Sequence, residues 1–159
     1  MKERYYPIAL RMNGRAAIVV GGGQVAERKV KTLLKFGARV RVVSPGLTSK
    51  LRELLRSRRI TWTGRVARSS DIIGADIVIA ATSDGAVNRE VSRWAKRRAV
   101  PVNVVDDPAL CSFISPAVFR ANGAVVAVHT HGRDPVLSRD LKNFLKEHWD
   151  VFLSYRNRP

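Results

Sequence analysis

The 159 residues suffice for one domain with a small appendage and a sizeable core. No apolar run approaches the ~18 residues a membrane span needs, and the polar Met1-Lys2-Glu3-Arg4 start leads into no signal-type segment, so a soluble, cytoplasmic protein that neither spans nor binds a membrane is expected. The single Cys111 rules out an intramolecular disulfide, no Cys/His cluster has zinc spacing, and 29 Lys+Arg against 13 Asp+Glu give a net charge of +16 that favours anionic partners.

Residues 15–20 form an apolar run that reads as a first strand. It enters Gly21-Gly22-Gly23-Gln24-Val25-Ala26, and residues 24–36 read as a helix with Val25, Val30, Leu33 and Leu34 inward, closed by Gly37. Strand, glycine turn and helix in this order open a dinucleotide-binding βαβ unit. Gly21 can take the tight-turn angles, Gly23 lets the backbone approach a pyrophosphate without a Cβ in the way, and Ala26 permits close helix-on-strand packing. The free N–H groups at the start of the helix then face the phosphates.

Residues 39–43 read as a second strand, 48–56 as a helix and 60–63 as a short strand. Asp76 to Ala81 is a buried strand, Ser83 or Asp84 caps a helix running to Arg97, and 101–105 is the last strand of the set. Alternating strands and helices predict an α/β, Rossmann-like, doubly wound parallel sheet with ligands beyond the carboxyl ends of its strands. After Asp106 the pattern changes. Residues 113–119 and 124–129, joined by Asn122-Gly123, read as two antiparallel strands, and 135–152 as one helix with Val136, Leu141, Phe144, Leu145 and Trp149 on a face. Two strands and a helix make a poor independent core, so a homodimer through this region is expected. The division is therefore a nucleotide-binding domain over 1–110 and a dimerisation region over 111–159.

The strand ends converge on Gly21 to Val25, Ser44-Pro45, Thr82-Ser83 and Asn103 to Asp107. Gly21, Gly22, Gly23, Gln24, Val25, Ser44, Pro45, Thr82, Ser83 and Asn103 are thus the candidate cofactor residues. Ser44 stands where NAD-selective sites present an acid to the ribose diol, and with Arg41 nearby the residues leave NAD and NADP both open. Asp106-Asp107 leave a buried strand in a chain poor in acids. Adjacent extended positions point to opposite sides, so at most one of the two is expected to face the ligand, where it could serve as a general base; the alternative is that both shape the turn before Pro108. His129 and His131 share a strand face but lack a third ligand, Cys111 lacks a base, and Trp62, Trp94 and Trp149 are spaced like core residues.

Gly21-Gly22-Gly23-Gln24-Val25-Ala26-Glu27-Arg28-Lys29, Ala80-Ala81-Thr82-Ser83-Asp84 with Val87-Asn88, Asn103-Val104-Val105-Asp106-Asp107-Pro108, Phe113-Ile114-Ser115-Pro116-Ala117 and Pro135-Val136-Leu137-Ser138-Arg139 together resemble the precorrin-2 dehydrogenases of sirohaem biosynthesis. The resemblance implies NAD-dependent oxidation of precorrin-2, an anionic tetrapyrrole, to sirohydrochlorin on an interlocked homodimer, with Asp106 as the catalytic acid/base residue. Some members also insert ferrous iron. Two departures bear on the substrate cleft. Members often continue into a further helical domain where this sequence stops at Pro159, and several carry serines where His129-Thr130-His131 stands here.

The charge is concentrated early, with 22 basic and 7 acidic residues in 1–100 against 7 and 6 in 101–159. A basic cleft suits a polycarboxylate. The alternative from another class is a non-catalytic, dinucleotide-sensing dimeric module. A nucleic-acid binder is not expected, since no groove-reading motif accompanies the charge.

Overall fold

In the computed structural model, which describes residues 5–105 and 107–156, the apolar run Ala16–Val20 forms β1 and Gln24–Lys35 forms α1. There follow β2 (Arg39–Val43), α2 (Ser49–Arg56), β3 (Ile60–Thr63), β4 (Ile77–Ala80), α3 (Gly85–Arg97) and β5 (Val102–Val104). The five strands make one parallel sheet in the order β3-β2-β1-β4-β5. β1 lies between β2 and β4, pairing Val20 with both Val43 and Ala80. The order reverses at β1, so a crevice opens at its carboxyl end, where the glycine turn sits.

Two apolar layers cover the sheet, as expected for strands buried on both faces. Ala17, Val19, Val40 and Val42 pack with Ala26, Val30, Leu33, Leu51 and Leu54 on one side. Ile18, Val20, Val78, Val102 and Val104 pack with Val91 and Ala95 of α3 on the other. Ala26 is fully buried, so α1 approaches β1 at a position with almost no side chain. Trp62 departs from its expected core place: it is 39% exposed and its indole N–H donates to the Ser44 carbonyl at 3.0 Å.

The described residues fall into two compact units, one spanning Pro7–Phe113, the other taking in Tyr5, Tyr6 and the residues from Ile114 onward. The second contains the antiparallel pair β6 (Ala117–Ala121) and β7 (Ala124–Val128), then α4 (Pro135–Glu147) and α5 (Trp149–Arg156). β6 begins four residues later than expected and ends two later. Asn122 and Gly123 both have positive φ, 48° and 78°, which is the two-residue hairpin geometry, and the register it sets ends at Ala117↔Val128, just past Pro116, which has no N–H to donate. The single helix expected over 135–152 is two. His148 leaves the helical conformation while its Nδ1 lies 2.9 Å from the Phe144 carbonyl and its ring stacks on Phe144, and α5 begins at Trp149. No helix among the described residues is long and apolar enough to cross a membrane.

Candidate dinucleotide site

At the carboxyl ends of β1, β2 and β4 lies a cleft of about 850 Å³, within the range of small-molecule sites. It gathers Gly21, Gly22, Gly23, Gln24, Val25, Ser44, Pro45, Thr82 and Ser83, nine of the residues singled out from the sequence. Val105 also lines it. Asn103 does not join them. It is buried, and its carboxamide N–H₂ donates to the Phe113 carbonyl at 3.2 Å, so it fastens the β5 exit instead of facing the cleft. Asp106 lies outside the described residues.

The three glycines have three different reasons to lack a side chain. Gly21 has φ +120°, and a Cβ there would collide with the Ala81 carbonyl. A Cβ on Gly22 would meet the Gly46 carbonyl and come 2.6 Å from Ser44 Oγ. Around Gly23 nothing lies within 4 Å of the Cβ position. The first two glycines are therefore required by the protein's own packing, whereas Gly23 leaves empty room on the cleft side.

Gly23 is also the N-cap of α1, and no side chain caps that helix. Three other helices are treated differently: Thr48 accepts from Leu51 N–H on α2, Asp84 from Ala86 and Val87 N–H on α3, and Asp134 from Leu137 N–H on α4. A helix start leaves several N–H groups without partners and carries partial positive charge. At α1 those donors open onto the glycine cradle, a donor set that fits a pyrophosphate.

Buried polar contacts hold the walls. The Ser44 hydroxyl, on a residue 4% exposed, donates to the Gly46 carbonyl at 2.7 Å and so shapes the turn after β2. On the other side Asn88 of α3 fixes the Thr82 turn. Its Oδ1 accepts from Thr82 N–H at 3.2 Å and from Thr82 Oγ1 at 2.8 Å, and its Nδ2 donates to the Thr82 carbonyl at 3.0 Å. Asp84 lines the cleft while capping α3 at 2.8 Å from Ala86 N.

Val66 and Ala67, from the segment after β3, complete the lining. That segment is tied by Asp71, whose carboxylate accepts both Arg65 Nη atoms at 2.7 Å and the Arg68 N–H at 2.7 Å. The Arg65 guanidinium holds the Asp71 carboxyl below its ordinary value, against the opposing effect of burial. Arg41, expected near the cofactor, turns away from the cleft and donates to the Asp71 carbonyl.

Sequence reasoning missed Thr48 and Arg52, which line the cleft from the start of α2. The signal was available: with Thr48 as N-cap, a residue four positions on shares its helix face. Cys111 is not a nucleophile. Burial pushes its thiol up, and Sγ accepts from Val104 N–H at 3.1 Å, holding the chain that follows β5. His129 and His131 lie 5.1 Å apart ring to ring, and among the described residues no group of three metal-ligating side chains forms.

Comparison with known proteins agrees with this geometry. A family model described as "Putative NAD(P)-binding" matches residues 8–117. The siroheme synthase of Methylobacillus flagellatus is 47% identical over 136 residues, covering 86% of this chain and 29% of that protein. That of Nitrosospira multiformis is 45% identical over 142 residues, covering 87% and 30%. The chain thus spans less than a third of the length of these relatives. Among solved structures, SirC, a precorrin-2 dehydrogenase, superposes with a TM-score of 0.77 at 27% identity, over 91% of this chain and 71% of that one.

Proposed function

The chain belongs to the NAD(P)-binding family whose model matches residues 8–117, and from that membership we propose that it is an NAD-dependent dehydrogenase oxidising precorrin-2 to sirohydrochlorin in sirohaem biosynthesis. The observation that carries the cofactor half of this reading is the uncapped start of α1 above the open space at Gly23. The substrate half is supported by the likeness to SirC and to the siroheme synthases.

In this reading Gly21 to Val25 hold the pyrophosphate, Ser44 and Pro45 border the adenosine, and Thr82 and Ser83, positioned by Asn88, border the nicotinamide half. Bound NAD supplies the hydride acceptor. Precorrin-2 and NAD⁺ give sirohydrochlorin, NADH and one proton, and we assign the proton to Asp106, which follows the cleft-lining Val105 in the chain. The basic excess of residues 1–100 draws the substrate carboxylates toward the site. A homodimer is supported by the second unit, where Val136 and Phe144 are 53% and 55% exposed on α4. We read the protein as a cytoplasmic enzyme acting on dissolved substrate.

Anaerobic incubation with precorrin-2 and NAD, followed by sirohydrochlorin absorbance, tests the reading. Parent protein and Asp107→Asn should turn over, and Asp106→Asn should bind NAD yet lose about a hundredfold in rate. The competing reading, a dinucleotide sensor without catalysis, predicts NAD binding and no product from any of the three.

A further inference from the structure

We propose that the end of the cleft bordered by Ser44, Thr48 and Arg52 is a 2′-phosphate subsite, so that the chain takes NADP as well as NAD; this rests on the dinucleotide reading above. In dinucleotide sites an acid at the end of the second strand grips the ribose diol and repels a 2′-phosphate, while an arginine there accommodates it. β2 ends in Ser44-Pro45-Gly46, with no acid. The Ser44 hydroxyl, whose proton is given to the Gly46 carbonyl, carries no negative charge that would repel a 2′-phosphate.

Arg52 is the one cationic side chain lining the cleft among the described residues. It is exposed, one helical turn beyond Thr48, and among the described residues it has no ion pair. The acids around it are engaged elsewhere. Glu27 is bound by Lys31 and by the Thr48 hydroxyl at 2.7 Å, and Glu53 is bound by Lys50 at 2.7 Å. Arg41, the other cation adjoining this strand end, is committed to the Asp71 carbonyl. A guanidinium is always charged and matches phosphate with paired N–H donors, so an unpaired arginine at this end of the cleft is placed for the one group that distinguishes NADP from NAD.

Calorimetric titration of the full chain with NAD and with NADP, repeated for Arg52→Gln, tests this without any turnover. Losing a charge-assisted phosphate contact is worth about tenfold or more in affinity. The parent should bind NADP within about tenfold of NAD, and Arg52→Gln should raise the ratio of NADP to NAD dissociation constants by about tenfold or more. Because Arg52 is exposed, the variant is expected to keep the parent's circular dichroism. If the parent binds NAD but NADP more than about tenfold more weakly, or if the ratio stays within about threefold in Arg52→Gln, the subsite is wrong while the dinucleotide reading stands. If neither nucleotide binds, the dinucleotide reading falls and takes the subsite with it.

Discussion

At the level of single residues, the glycine turn shows how one motif serves packing and ligand at once. Gly21 and Gly22 face their own backbone, against Ala81 and Gly46, while Gly23 faces open space. Gly22→Ala should therefore lower thermal stability without any cofactor present, by about 2 kcal/mol or more for an overpacked, backbone-blocked site. Gly23→Val should melt near the parent temperature and lose its NAD-binding heat; normal NAD affinity in that folded variant would remove the cradle from the site. The sequence alone made Gly23 a phosphate neighbour, but the separate duties of Gly21 and Gly22 depend on Ala81 and Gly46, which no local pattern ties to the turn. Asn103 was misjudged for a related reason. It is a polar residue at a strand end, and only the fold reveals that the Phe113 carbonyl claims its donor.

At the level of elements, strands β1 to β5 were legible because apolar runs bounded by glycine, proline and charge leave few alternatives for a doubly buried strand. The segment after β3 was not legible, since its order rests on an ion pair instead of a periodicity. The Asp71 carboxylate accepts three hydrogen bonds, two from Arg65 and one from Arg68, while being almost wholly buried, and the nearby Val66 and Ala67 form cleft wall. Asp71→Ala should cost about 3 kcal/mol by stranding its partners. The folded-state pKa of Asp71 is lowered by Arg65, so its contribution is present above the ordinary carboxylate value near about 4 and is lost as pH falls through the lower folded value. The stability gap between parent and Asp71→Ala, measured by urea unfolding, should accordingly be constant from pH 7 to about 5 and close below it. A gap that widens on acidification would show that the pair does not hold this segment. The break at His148 was hidden for another reason: Lys146, Glu147 and His148 all suit a helix, and the stop comes from the His148 ring engaging Phe144.

At the level of the whole molecule, the two units differ in how well each closes its own core. The first buries both faces of its sheet, whereas α4 leaves Val136, Leu137, Leu141 and Phe144 exposed and buries only Ser138. If two copies cover that face, sedimentation should give a dimer at micromolar concentration, and Phe144→Glu should yield a monomer that still binds NAD through the first unit. A well-folded parent monomer would overturn the homodimer. The central claim is that the glycine cleft serves oxidation of a tetrapyrrole and not storage or sensing of a nucleotide. Its most direct measurement is a single anaerobic turnover, with protein and NAD in excess over precorrin-2 and NADH and sirohydrochlorin recorded together. The account predicts that both products rise with the same time course in a one-to-one ratio, and that Gly23→Val yields neither. Bound NAD with no NADH formed, or sirohydrochlorin appearing at the same rate without added nucleotide, would contradict it.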